Sequence, residues 1–308
     1  MATEPILAPF DVFVAENRGA ASRALWSDYW AMTKPEVNFL IAVTAAVGFY
    51  LGSPGISRFP WTSLLNTVLG TALVASGAGA LNQWMEHRFD AKMRRTARRP
   101  IAAGRIEPVR ALVFGVALSL TGAAYLFLTT NNLASLLAVA TLVSYLFLYT
   151  PSKRITPLCT LIGVFPGAIP PLIGWAAARG SLDPQAWVLF AVVFLWQFPH
   201  FMAIAWMYRE DYARAGYLVL PAGAQKNHFV VWQTVVPALA LVPLSLIPAN
   251  ADVSVLAYSG GAFMLGASFL YYGVRFAFRR SNVAARRLLV ASIIYLPVVF
   301  ALMTLNKK

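Results

Sequence analysis

A chain of 308 residues that is 59% hydrophobic and only 12% charged, with a mean hydropathy of +0.63, lacks the polar surface a water-soluble domain needs and belongs in a bilayer. Its net charge of +13 does not mark nucleic acid as a partner, because the basic residues sit in short loops between apolar stretches instead of covering one polar face. The single cysteine, Cys159, excludes an internal disulfide and a cysteine metal cluster and is expected to pack.

Residues 1–36 are polar and mixed in charge (Glu4, Asp11, Glu16, Arg18, Arg23, Asp28). They are expected to form a cytoplasmic segment without the apolar core of a signal peptide, so the first span directs insertion of a transmembrane domain over 37–308. Stretches able to cross ~30 Å of hydrocarbon predict helices near 37–53, 62–85, 108–129, 132–149, 157–178, 186–207, 229–249, 254–277 and 286–305. The expected fold is therefore all-α and polytopic, with about nine transmembrane helices. The first span is short in apolar residues and is expected to begin earlier, through Tyr29, Trp30 and Met32, with Pro35 kinking or starting it. Small residues in the second (Gly70, Ala75, Ser76, Gly77, Ala78, Gly79, Ala80) would let neighbouring backbones approach closely.

Loop charge sets orientation. Arg88, Lys92, Arg94, Arg95, Arg98, Arg99 and Arg105 follow the second stretch, Lys153 and Arg154 the fourth, Arg209, Arg214 and Lys226 the sixth, and Arg275, Arg279, Arg280, Arg286 and Arg287 the eighth. The other loops offer only Arg58 and Arg179, so the even loops and the N-terminus are expected in the cytoplasm and Lys307 and Lys308 outside. A bacterial inner membrane is the expected location.

At the end of the second stretch, Asn82, Glu86 and Asp90 follow one another at i, i+4 and i+8 and share a helix face. Carboxylates at a membrane helix end need cations or water, and these run directly into Lys92, Arg94, Arg95, Arg98 and Arg99. Two chemistries fit the spacing: a helix-end ion-pair network, or a Mg²⁺ site in which carboxylates and an amide oxygen hold the ion while substrate phosphates complete its shell and arginines grip the phosphates.

The run from Asn82 to Pro100, NQWMEHRFDAKMRRTARRP, resembles the first signature of the UbiA superfamily of intramembrane prenyltransferases, N-x-x-x-[DE]-x-x-x-D. Its continuation through Met93, Arg95, Thr96, Arg99 and Pro100 is similar to the M-x-R-T-x-x-R-P extension of the branch that farnesylates protoheme. So are Tyr149-Thr150 with Lys153-Arg154, the run Trp196 to Phe201, and Tyr208 to Tyr212 with Ala215-Gly216. The resemblance implies a UbiA-like helical bundle that uses Mg²⁺ to join the farnesyl group of farnesyl diphosphate to a vinyl group of heme B, with addition of water, giving heme O and diphosphate. It also implies a heme A synthase or oxidase assembly protein as neighbour.

On that reading Asn82, Glu86, Asp90 and Asp211 hold metal, and Lys92, Arg95, Arg99, Lys153, Arg154 and Arg209 hold diphosphate. Phe201, Tyr145 or Tyr149 face the allylic cation, Asp211, Tyr208 or Tyr212 accept the proton, and His200 and Gln197 meet heme. The second signature departs from the superfamily's D-x-x-x-D, since Tyr208 and Tyr212 hold those places.

His200 also reads as a packing histidine, and His87 and His228 as structural or solvated. Trp26, Trp30, Trp61, Trp84, Trp187 and Trp206, near span ends, are expected to sit in the interface, and Pro166, Pro170 and Pro171 to kink the fifth helix. Broken helices and intramembrane polar residues suit a transporter, but most ionisable groups gather at one face with few at mid-membrane depth to carry an ion across. A noncatalytic assembly protein, or a prenyltransferase acting on a quinone precursor or another tetrapyrrole, are the remaining alternatives.

Overall fold

The computed structural model describes residues 25–55, 59–221, 228–247 and 255–307, and every regular element among them is helical. Expectations for residues 1–24, Arg58, Lys226, 248–254 and Lys308 lie outside the described residues.

The helices are α1 Pro35–Gly52, α2 Trp61–Asp90, α3 Pro108–Thr129, α4 Asn132–Val143, α5 Cys159–Gly167, α6 Pro170–Arg179, α7 Pro184–Met207, α8 Arg209–Ala215, α9 Phe229–Ser245, α10 Val255–Arg279 and α11 Asn282–Leu305. Proline opens the first turn of α1, α3, α6 and α7, where its missing N–H is not needed. Asn131 and Ser281 cap α4 and α11 by accepting from the backbone N–H of Ala134 and Ala284. Each of the nine predicted stretches contains a helix, and among the described residues seven spans combine the length and apolarity to cross a membrane: α1, α2, α3, α4 continued to Ser152, α5 with α6, α7 and α11. At 17 residues α9 is shorter.

Pro35 starts α1 instead of kinking it. Residues 25–32 form a separate helical segment, and Lys34 between the two takes a left-handed φ of 52°. Met32 is fully buried against Ala80, Ile101, Ile106 and Ala111, so the chain packs on the bundle before its first span begins. α2 runs one turn past its predicted end and so carries Glu86 and Asp90 in helix.

Close approaches use glycine as expected. A β-carbon on Gly77 would meet Ser119 and Gly115 of α3, and one on Gly174 would collide with the Ala45 carbonyl of α1. Gly174→Ala should therefore destabilise the detergent-solubilised protein by about 1–3 kcal/mol, read as a lowered thermal midpoint. The fifth span breaks between Gly167 and Pro170 as its prolines suggest. The main core joins α6 and α7 to α9, α10 and α11 through Trp175, Trp196, Tyr258, Phe269 and Tyr295, and a second one links α2, α3, α4 and α6.

At one end of the bundle Lys307 donates to the carbonyls of Tyr50 and Ser53, and Arg179 to that of Gly52, so cations cover the carbonyl end of α1. Trp26, Trp30, Trp61 and Trp187 are exposed as interface residues should be. Trp206 is a correction: it is 3% exposed and packs edge-on against Phe276, because its helix face turns toward α10. Cys159 is buried.

Candidate active site

The C-terminal end of α2 points its acidic stripe at the segment that leaves α4. There the helix widens into a π-helical turn, Ser144–Tyr149, whose extra residue brings Tyr145, Tyr149 and Thr150 round to α2. Asn82 Nδ2 donates to Glu86 Oε2 at 2.9 Å and to Thr150 Oγ1 at 3.2 Å. Lys153 Nζ reaches both Glu86 oxygens, at 2.9 and 3.1 Å, and lies 4.6 Å from the centre of the Tyr149 ring.

Asp90 is 1% exposed and takes Arg99 Nη1 on Oδ2 at 2.8 Å, while its backbone carbonyl receives Thr96 Oγ1 at 2.9 Å. Thr96 and Arg99 of the M-x-R-T-x-x-R-P run thus fold back onto Asp90 itself, which explains their fixed distance from it in sequence.

Lys34 was missed by sequence reasoning. It donates to Asn82 Oδ1 at 2.7 Å, which brings a third cation to the carboxylates. Desolvation, then repulsion from Arg99 and Lys153, push its ammonium down to about 7 against the pull of Glu86 and Asp90. The available signal was a lysine placed directly before Pro35 at the entry to the membrane. For Lys153 burial also opposes the charge, but Glu86 together with Tyr149 and Tyr145 holds the group well above its ordinary range.

A second cluster adjoins the first. The Arg95 backbone N–H donates to Asp211 Oδ2 at 3.3 Å, its guanidinium lies 4.3 Å from the Tyr208 ring and bonds the Tyr212 hydroxyl at 3.2 Å, and Arg214 pairs with Asp211. Tyr217, also unforeseen, packs with Met93 and Ala215, and Leu218 N–H donates to the Lys153 carbonyl at 2.7 Å. Burial first, then Glu86, raise the Tyr217 phenol above its ordinary range. The loops after α2, α4 and α7 therefore meet at one end, as their shared charge suggested.

Not every candidate joins them. Lys92 and Arg154 are exposed and lie over the Phe89 ring at 5.9 and 4.7 Å. Arg209 donates instead to the Trp206 carbonyl and to Asn282 Oδ1, bracing the turn into α11. Gln197 donates to the carbonyls of Val164 and Val193, tying broken α5 to α7. His200 is held by Ser292 of α11 and stacks on Trp196. His87 bonds only the Trp84 carbonyl of its own helix, and His228 precedes α9, exposed. Two largely apolar cavities of about 790 and 820 Å³ open elsewhere, neither lined by Glu86 or Asp90.

Among the described residues no three His, Cys, Asp or Glu gather as a preformed metal cage. Two carboxylates and an amide do suit Mg²⁺, which keeps few protein ligands and completes its octahedron with phosphate oxygens. The buried Asp90 Oδ1, without a hydrogen-bond partner among the described residues, leaves a lone pair for such an ion.

Fold and site together define a polytopic helical membrane enzyme that gathers carboxylates and cations at one end of its bundle. Residues 41–300 match the UbiA prenyltransferase family, and the chain belongs to it. It is 48% identical over 289 residues to a protein of Solibacter usitatus (strain Ellin6076) named protoheme IX farnesyltransferase, covering 91% of this chain and 98% of that one. Its fold matches a solved digeranylgeranylglyceryl phosphate synthase with a TM-score of 0.74 at 16% identity, over 91% of this chain and 98% of that one. It also matches a UbiA homolog from Archaeoglobus fulgidus bound to DMAPP and Mg²⁺, with a TM-score of 0.57 at 16% identity, over 90% and 99%.

Proposed function

We propose that this enzyme farnesylates heme B: it breaks the C–O bond of farnesyl diphosphate, joins the allylic carbon to a heme vinyl group, adds water at the other vinyl carbon and releases diphosphate, giving heme O. Near-complete alignment with a relative of that name supports the acceptor, and the meeting of Glu86 and Asp90 with Lys153, Arg99 and Lys34 carries the chemistry.

Asn82, Glu86 and Asp90 would hold Mg²⁺, with Asp211 the candidate for a second ion. The ion, when bound with diphosphate, neutralises charge that develops on the leaving group. Lys153 and Arg99 bind the phosphates by exchanging their carboxylate partners for phosphate oxygens, and Arg95, Lys92 and Arg154 bind from the exposed side. Tyr149 and Tyr145, their rings 5.4 Å apart, present π-faces near Lys153 where the allylic cation would form, and Phe201 of α7 is the other candidate ring.

After water adds, Asp211 is the proton acceptor, with Tyr208 and Tyr212 as alternatives on the same segment. Gln197 and His200 of α7 are the candidate heme contacts. The charged loops face the cytoplasm of a bacterial inner membrane by the positive-inside rule, with the Lys307 end outside. A heme A synthase or oxidase assembly protein would receive the product.

Purified protein in lipid, given heme B, farnesyl diphosphate and Mg²⁺, should yield the mass of heme O and lose it with EDTA. Transfer to an aromatic acceptor but not to heme would overturn the acceptor assignment.

A further inference from the structure

Residues 25–32 form a short helix at the charged end of the bundle, fastened there at two points. Asp28 takes Arg105 on both carboxylate oxygens at 2.8, 2.9 and 3.0 Å, and the Tyr29 ring meets Phe114 of α3 edge-on at 4.9 Å. Behind them Gln83 Nε2 donates to the Met32 carbonyl at 3.2 Å and Asn38 Nδ2 to that of Thr33 at 2.6 Å. The next residue is Lys34, which reaches Asn82.

Trp26 and Trp30, one turn apart, are left on the outer face, 76% and 66% exposed. With Tyr29 they form one wall of the cavity of about 820 Å³, and Val109, Val113 and Ala117 of α3 form the other. From Arg110 to Ala117 the helix descends about 10 Å, so the groove leads from the charged loop before α3 toward the hydrocarbon. Tryptophans on a helix lying against the bundle at that level mark the headgroup boundary. The lining does not suit a packed membrane helix, because such helices approach over small residues and here only Ala117 and Thr33 are small. A flexible acyl chain needs no close backbone approach.

The groove also carries a cation. Arg110 pairs with Glu107 through Nε at 3.0 Å, but the two side chains are 62% and 70% exposed, so the pair is weak. Its two Nη groups have no partner among the described residues. A guanidinium fork above an apolar slot, at the end of the bundle where Arg98 and Arg105 also stand exposed, matches a phosphate headgroup with its chain below.

We propose that this groove binds one anionic phospholipid, with an acyl chain between residues 25–33 and α3 and its phosphate on Arg110. The lipid bridges the segment to α3 and so steadies the entry to α1, from which Lys34 reaches Asn82.

Lipid binding is read without substrate, so its outcome is separate from that of the heme-acceptor reading. Native mass spectrometry of the full chain in detergent, titrated with phosphatidylglycerol and with phosphatidylcholine of the same chains, should show one phosphatidylglycerol held more tightly. That lipid should also raise the thermal midpoint. Arg110→Gln should weaken its binding about 5-fold, the worth of one arginine beside an anionic surface. Glu107→Gln, which removes the competing carboxylate, should strengthen it, and Val113→Trp, which fills the groove, should abolish both the binding and the rise in midpoint. Equal affinity for the two lipids, unmoved by Arg110→Gln, overturns the headgroup assignment, and phosphatidylglycerol held unchanged by Val113→Trp overturns the groove. A dimer that Val113→Trp dissociates would give this face to a second copy of the chain and overturn the proposal. If Val113→Trp does not fold, the two charge variants, both at exposed side chains, decide.

Discussion

Asp90→Asn should lower heme O turnover by about 10²–10³-fold, the loss typical when one electrostatic stabiliser of a developing charge is removed. The fold should survive, since asparagine keeps the shape of the side chain and its oxygen can still accept from Arg99, whose side chain is 28% exposed. What disappears is the negative charge that would share a magnesium ion with Glu86, so raising Mg²⁺ should recover little activity. Glu86→Gln should lose turnover alike, but it also leaves buried Lys153 without its carboxylate and so should lower the thermal midpoint. Turnover measured beside the thermal midpoint in detergent separates the two roles: variants that keep more than a tenth of wild-type activity would return the stripe to a helix-end ion-pair network.

Lys153→Met is expected to damage the fold as well as the chemistry. Glu86 and Lys153 are 7% and 12% exposed, and removing the cation strands a carboxylate left with the Asn82 amide and the nearby charge of Lys34. Breaking such a buried pair costs about 3–5 kcal/mol, whereas replacing both members by neutral groups of similar volume is close to neutral. Glu86→Gln with Lys153→Met should therefore recover most of the lost thermal stability while heme O formation stays absent. Equal midpoints for the single and double variants would show that Lys34 alone neutralises Glu86.

The stripe of Asn82, Glu86 and Asp90 was legible because helical periodicity fixes which side chains share a face, and loop charge was legible because orientation depends on counting. Contacts that depend on how helices are assembled were not. Lys34 reaches Asn82 only because α1 starts at Pro35 and the segment before it folds onto α2, and a single basic residue beside a span reads equally well as a surface charge. The π-helical turn that delivers Thr150 and Lys153 has no signature in Ser144–Tyr149, whose apolar and aromatic residues suit an ordinary helix. Trp206 lay near a span end, as interface tryptophans do, yet which way a ring faces depends on its neighbours. The number of spans was less legible than the helices themselves, since α9, at 17 residues, is short for a crossing.

The partners of the two carboxylates also lie at very different distances along the chain. Arg99 follows Asp90 by nine residues, whereas Lys153 follows Glu86 by 67. At about 5–20 residues per second of synthesis, Asp90 gains its counter-ion almost at once, but Glu86 waits roughly 3–13 s for the end of α4 to emerge. During membrane insertion the nascent protein carries an anionic side chain that Lys34, made earlier, can shield before its final partner arrives. The lysine that sequence reading overlooked would then serve the biogenesis of the site before it serves the finished enzyme.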